Sequence, residues 1–243
     1  MTTFAVCYIG DSMDNRKVQE IAKSAMEYLE TQIVPQITVR QIAALAEAYM
    51  VSAGVTGFWY YDIGAFVFAG EDTVCSVTGR DYVPSNRKIE ENDIITVDLS
   101  PQYGDVWGDY ARTFIIENGQ VQKNAADIES LEFKDGILTE NMLHRELVRI
   151  AKPSMTFAEL YHVMNEYIVD VGYINLDLRG NLGHSIEKNR DDRVYIEYGN
   201  DMKLSEKAFF TFEPHIGKAS SRYGFKMENI YCFENSQLID VLL

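Results

Sequence analysis

Two aspartates stand eleven residues apart in "IITVDLSPQYGDVWGDYARTF", residues 94–114. Asp98 closes an apolar, β-branched run, and Asp109 opens another just past a Gly-rich turn. Asp is depleted in strands because its short side chain competes with the backbone for hydrogen bonds, so both residues need partners. A turn amide or the nearby Arg112 is the structural alternative. A shared cation is the chemical one, and it requires more ligands. Three candidates lie downstream in segments that read as strands: His184 after a glycine in "NLGHSIE", Glu213 before a proline in "FFTFEPHIG", and Glu228 in the alternating "FKMENIYCF". A carboxylate inside an apolar strand is costly unless a charge or hydrogen bonds compensate it. Four carboxylates and one histidine form an N/O set that suits one or two divalent ions of the manganese, iron, cobalt or zinc type. Two ions about 3.5–4 Å apart can share bridging carboxylates, activate a water and polarise a substrate oxygen.

The elements that must position this set follow from periodicity. Residues 12–32 read as an amphipathic helix, with Val18, Ile21, Ala22, Ala25, Met26 and Leu29 on one face. A capping box at Thr38 and Gln41 starts a helix that runs to about Ser52 and stops near Gly54. Strands are predicted near 57–62, 65–70, 73–78, 94–99 and 106–115. A helical region covers about 123–151, another helix starts at the Thr156 capping box, and strands return near 181–186, 207–213 and 226–235. "PQITVRQIAALAEAYMVSAG" from Pro35 and "PSMTFAELYHVMNEYIVDVG" from Pro153 share Pro, Thr, Tyr and Gly at matching offsets. This predicts a duplicated unit, two helix-plus-hairpin halves about a pseudo-twofold axis, with a cleft where they meet. The chain is therefore expected to be one α+β domain, 1–243, with halves of about 12–120 and 121–243.

Composition excludes some partners. The 243 residues carry a net charge of -15, which argues against nucleic acid. No apolar run approaches the roughly 20 residues of a bilayer span. The amino-terminal "MTTFAVCYIGDSMDNRK" lacks a basic segment before its short apolar stretch, so a signal peptide is not expected. Cys7, Cys75 and Cys232 form no CxxC pair, and a reducing cytoplasm is the default expectation. His144 and His162 fall on predicted helices and read as surface or packing residues.

The order of the five ligands, with "RKIEENDIITVDLS", "GDYARTF", "GHSIE" and "FTFEPHIG", resembles the methionine aminopeptidase, aminopeptidase P and creatinase superfamily over nearly the whole chain. The resemblance implies the pita-bread fold, here as the catalytic domain only. It also implies two divalent ions, with Asp98 a terminal ligand on one, Asp109 and Glu228 bridging, and His184 and Glu213 on the other. Glu213 would also be the catalytic proton shuttle. The substrate would be a small peptide or amino-acid-derived molecule, and a homodimer would be compatible.

Two histidines of those peptidases are replaced. Asp81 stands before "VPS" and Asp191 stands seven residues past His184, while Glu187 replaces the last glycine of "GHGIG". An ionised Asp only accepts hydrogen bonds and repels a developing oxyanion. An acidic pocket for a cationic group is one expectation, with Asp81 and Asp191 as substrate contacts and His215 as a replacement donor; a solvated loop face is the other. The leading expectation is a dinuclear metal hydrolase. Non-peptidase chemistry on the same fold and a catalytically silent binding protein are the alternatives.

Overall fold

The structure, a computed structural model, describes residues 14–242. Ser12 and Met13 of the expected first helix, Cys7 and most of the stretch weighed as a leader lie outside the described residues. Helices α1 (Asn15–Gln32) and α2 (Val39–Ser52) precede β1 (Gly57–Phe58) and β2 (Ala65–Ala69). Then come β3 (Asp93–Leu99), β4 (Pro101–Tyr103), β5 (Val106–Trp107), β6 (Tyr110–Glu117) and β7 (Gln120–Val121). Helices α3 (Leu131–Ile150) and α4 (Phe157–Asp170) lead to β8 (Ile174–Asn175). The remaining strands are β9 (Phe210–Phe212), β10 (His215–Gly217), β11 (Gly224–Lys226), β12 (Asn229–Glu234) and β13 (Gln237–Asp240).

Strand order is β2-β3-β6-β7 in the largest sheet, with three-stranded sheets β1-β4-β5, β11-β10-β8 and β13-β12-β9 beside it. The pairings are antiparallel, as an α+β fold requires. Apolar residues of α1 and α2, such as Leu29, Ile42 and Met50, pack on Val97 and Leu99 in one core. Leu147, Phe157, Met164, Phe210 and Phe212 build a second core, which Ile94 and Ile115 join from the large sheet, and Trp107, Ile186 and Ile230 belong to a smaller third. Each such side chain contributes about 1.5–3 kcal/mol on full burial.

The two copies of the internal repeat adopt the same local structure. Thr38 with Gln41, and Thr156 with Glu159, close reciprocal capping boxes, and each box starts a 14-residue helix. At the far ends, Gly54 (φ +107°) and Gly172 (φ +86°) take the left-handed conformation that lets each helix stop and turn. Each capping threonine also forms an isolated antiparallel bridge, Thr38 with Lys88 and Thr156 with Lys203.

Several expected strands are cut short, all of them beside the cleft. Segment 73–78 forms no strand; a 3-10 turn, Gly70–Val74, leads into a loop. The Thr73 hydroxyl donates to the Gly70 carbonyl, and the Thr73 carbonyl accepts from His215, so this backbone pairs off the ladder. The strand expected near 57–62 ends at Phe58, because Tyr61 and Asp62 adopt positive φ. Residues 181–186 make only isolated bridges, His184 with Tyr195 and Ser185 with Phe210. The long helix begins at Leu131, capped by the Ser130 hydroxyl, not at 123. On it, buried His144 accepts from the Tyr231 hydroxyl and donates to the Met227 carbonyl, a packing role. Among the described residues no helix is long and apolar enough to cross a membrane.

Candidate metal centre

The register of the large sheet begins the site. Asp98 on β3 pairs with Ala111 on β6, so Asp109, two residues before Ala111, is directed to the same face. The break at Met227–Glu228 between β11 and β12 brings the third strand in. There the Glu228 amide donates to the Ala111 carbonyl at 3.0 Å. From the other side, the Thr211 amide donates to the His184 carbonyl at 2.7 Å, and the Glu213 amide donates to the Leu182 carbonyl at 2.9 Å. These backbone bonds place five side chains, distant in sequence, around one point.

They converge as two overlapping triples, Asp109–His184–Glu228 and Asp98–Glu213–Glu228, with one ligand atom of each residue within 4.8 Å of the others in its triple. His184 Nε2 stands 3.3 Å from Asp109 Oδ2 and 3.7 Å from Glu213 Oε1. Its Nδ1 lies 3.1 Å from the Ser185 carbonyl. That contact places the ring proton on Nδ1 and leaves the Nε2 lone pair facing the carboxylates, as in a metal-ligating histidine. Trp59, Trp107 and Tyr195 hold the ring, with centroids 5.6–5.9 Å from that of His184.

The electrostatics are those of a site short of positive charge. Glu228 is fully buried and neither carboxylate oxygen has a hydrogen-bond partner. Burial first, then Asp109, Glu213 and Asp98, push its pKa well above the usual carboxylate range. Burial also lifts Asp109 to about 6, against the opposing pull of the adjacent His184 ring. Orphaned buried carboxylates call for a cation. The oxygen and imidazole donors at Asp109, His184 and Glu228 fit a divalent transition ion. The second triple differs: Lys226 Nζ lies 2.5 Å from Asp98 Oδ2 and 3.1 Å from Glu213 Oε2.

Arg112, the structural alternative for the two aspartates, binds neither of them. It bonds the Glu228 and Ala111 carbonyls, the Tyr110 hydroxyl and Asn229 Oδ1, and so clamps the break that presents Glu228.

The cluster lies on a cavity of about 300 Å³ lined by Trp59, Tyr60, Phe66, Asp98, Asp109, His184, Glu213, His215 and Lys226, among others. His215 is buried, and its Nε2 lies 2.7 Å from the Thr73 carbonyl. Asp191 reaches only the rim, with a side chain 88% exposed and 3.4 Å from Arg190. The structure does not bring Asp81 to the cavity: it is exposed and accepts from the Thr78 hydroxyl at 2.8 Å. Glu187 is held by the Ser185 hydroxyl and Lys207. The rim instead carries Arg179, Arg190 and Arg193, with Arg193 4.7 Å from the Trp59 ring centroid and Arg190 4.5 Å from that of Tyr61.

Sequence reasoning missed Lys226, the rim arginines and Gln19. Gln19 is fully buried on α1; its amide donates to the Asp109 carbonyl at 2.5 Å and its oxygen accepts from the Asp109 amide at 2.9 Å. A buried glutamine beside the apolar stripe of a helix was the available signal. Gln19→Leu removes both bonds. The expected result is a metal affinity lower by about 10–100-fold, the usual effect of losing an outer-sphere support, read by calorimetric titration of the variant with Mn²⁺ or Zn²⁺.

An antiparallel α+β fold with a buried carboxylate–histidine cluster on its central cleft is the architecture of a class of metallohydrolases. Residues 14–235 match the model of Metallopeptidase family M24, and the chain belongs to that family. It is 26% identical over 204 residues to the Xaa-Pro dipeptidase of Pyrococcus furiosus, covering 82% of this chain and 52% of that protein. It is 23% identical over 212 residues to the methionine aminopeptidase of Helicobacter pylori strain 26695, covering 83% and 77%. The chain thus spans about half the length of that dipeptidase. Among solved structures, it superposes on an X-Pro aminopeptidase of Thermotoga maritima with a TM-score of 0.77 at 23% identity, covering 95% of this chain and 60% of that one. A methionine aminopeptidase of Thermotoga maritima gives a TM-score of 0.72 at 17% identity, covering 93% and 94%. The fold is the pita-bread fold.

Proposed function

We propose that this protein is a divalent-metal-dependent hydrolase that cuts an amide bond near the amino end of a small peptide or amino-acid-derived substrate. The carrying observation is the convergence of His184 Nε2, Asp109 and the orphaned Glu228 beside a substrate-sized cavity. A divalent ion bound there supplies a water of lowered pKa and a Lewis acid for the scissile carbonyl. Glu213 opens onto the cavity, where its carboxylate takes a proton from the attacking water and returns it to the departing amine. His215 is not the replacement donor. Burial first, then Lys226, pull its pKa down to about 4, so the ring is neutral. Its Nε2–H donates to Thr73, which leaves Nδ1 as an acceptor.

The rim supports an anionic substrate end, such as the free carboxylate of a short peptide, held by arginines stacked on aromatic rings. Arg193→Ala is expected to raise KM about tenfold or more for free-acid dipeptides, since a hydrogen bond to a charged group contributes about 1.5–3 kcal/mol. The amidated counterparts are expected to change little. Steady-state kinetics on both series reads this directly. A second reading, non-peptidase chemistry at the same centre, is favoured by one observation: His184 and His215 are the only described histidines lining the cavity. The deciding experiment is a panel of dipeptides and amino-terminal amides with Mn²⁺, Fe²⁺, Co²⁺ or Zn²⁺, beside elemental mass spectrometry of the chain. Metal-dependent release of an amine supports hydrolysis. Bound metal with no peptide cleaved supports the second reading, and no bound metal overturns both.

A further inference from the structure

We propose that the Lys226 ammonium occupies one of the two cation positions of this cluster, so that the chain holds a single divalent ion, on Asp109, His184 and Glu228. The inference rests on the metal-dependent reading above and specifies how many ions it involves.

The two triples share Glu228 but differ in what faces them. Among the described residues no lysine or arginine forms a salt bridge with Asp109 or Glu228, and the neutral His184 ring is itself a ligand of this set. In the Asp98–Glu213–Glu228 set, Lys226 Nζ is within 2.5 Å of one carboxylate and 3.1 Å of the other. An ion ligated by the same oxygens stands about 2.0–2.2 Å from each. A nitrogen that close to both fills the volume the ion needs, and two cations a few ångströms apart in a buried site repel strongly. The Asp98–Glu213 pair is therefore already bridged by a positive charge built into the chain.

The lysine is held there from its backbone. Residue 226 ends β11, where it pairs with His215; its amide donates to the Thr113 hydroxyl at 2.8 Å, which donates back to the Lys226 carbonyl at 3.0 Å. Displacing Nζ would leave the Asp98–Glu213 pair to an ion and the ammonium without its two acid partners. The charges that hold the ammonium are those of Asp98 and Glu213; Glu140 on α3 lies within electrostatic reach, but burial raises its pKa well above the usual carboxylate range.

The experiment is metal stoichiometry, not activity. The parent chain, Lys226→Met and Lys226→Gln are stripped with chelator and equilibrated with excess Mn²⁺. Ions per chain are counted by elemental mass spectrometry, and spin coupling is read by electron paramagnetic resonance. The expected result is one ion and an uncoupled six-line spectrum in the parent, against two ions and an exchange-coupled spectrum in Lys226→Met. The Gln variant gives the same comparison if the Met variant does not fold, and the parent count stands by itself. Two coupled ions in the parent overturn this inference and leave the hydrolase reading intact. One ion in the parent and still one in both variants also overturn it, since Lys226 would then not be what excludes the second. No ion in any of the three overturns both.

Discussion

Glu228→Gln is expected to abolish most metal binding and hydrolysis while making the metal-free protein more stable. Glu228 is the one residue common to both triples, so its replacement weakens every arrangement of ligands the cluster offers. Loss of even an outer-sphere partner costs about 10–100-fold in metal affinity, and loss of this shared ligand is expected to cost about a hundredfold or more. The stability effect has the opposite sign. In the metal-free parent the carboxylate is fully buried, without a hydrogen-bond partner, beside Asp109, Glu213 and Asp98. Its folded-state pKa lies well above the ordinary 4.5, through burial first and those acids second. A carboxyl raised in this way contributes its full stability only below its unfolded pKa, and loses it as pH rises through the folded value. Asp109, lifted to about 6, acts in the same direction. The gain from Glu228→Gln is therefore near zero at about pH 4 and grows towards pH 8, reaching about 1–3 kcal/mol, the usual cost of an unsatisfied buried group. Urea titrations of chelator-treated parent and variant at pH 4, 6 and 8 measure it. A variant less stable than the parent at pH 8 contradicts the account. Adding Mn²⁺ should reverse the order, because ligand that binds only the folded state stabilises the parent by mass action.

That opposition explains why the cluster was legible in the sequence while its surroundings were not. Asp98, Glu213 and Glu228 interrupt apolar, alternating runs, where a carboxylate has no local use and so points to a distant partner. The repeat of capped helices was legible for a similar reason: Thr38 with Gln41 and Thr156 with Glu159 are local devices that need no tertiary knowledge. Lys226 had no such signature. A lysine near a strand end reads as a solvent-facing residue, and which face it takes depends on the break at Met227–Glu228, which is set by the bridge to Ala111. Gln19 borders an apolar stripe and is buried only because the turn before Asp109 packs on α1. The strands expected at 57–62, 73–78 and 181–186 have strand-like composition, yet their backbone is used around the cavity, in turns and isolated bridges. Tertiary contacts override strand propensity there, and these are the segments that line the site.

The last of those segments sets the second large effect. Gly183→Ala is expected to destabilise the protein by about 2–4 kcal/mol, from a strained left-handed backbone plus overpacking. Gly183 has φ +140°, and a Cβ added there would meet the Thr211 carbonyl oxygen at 2.3 Å and its carbon at 2.9 Å. The contact is with backbone, so no side-chain rotation relieves it. Thr211 is also what holds the next residue: its amide donates to the His184 carbonyl, and its hydroxyl accepts from the His184 amide at 3.1 Å. Relief of the clash must therefore push His184 away from the strand that places it, and Nε2 away from Asp109. Gly172→Ala separates the two causes. That glycine also has positive φ, +86°, but an added Cβ would meet nothing within 4 Å, so only the backbone strain of about 1 kcal/mol applies. With roughly 2–4 °C of Tm per kcal/mol at this size, the expected drops are roughly 5–15 °C for Gly183→Ala and a few degrees for Gly172→Ala. Metal titration then discriminates further: Gly172→Ala keeps the parent affinity, whereas Gly183→Ala loses it. Equal Tm losses with unchanged metal affinity in both would mean that the close approach of Gly183 to Thr211 does not position His184.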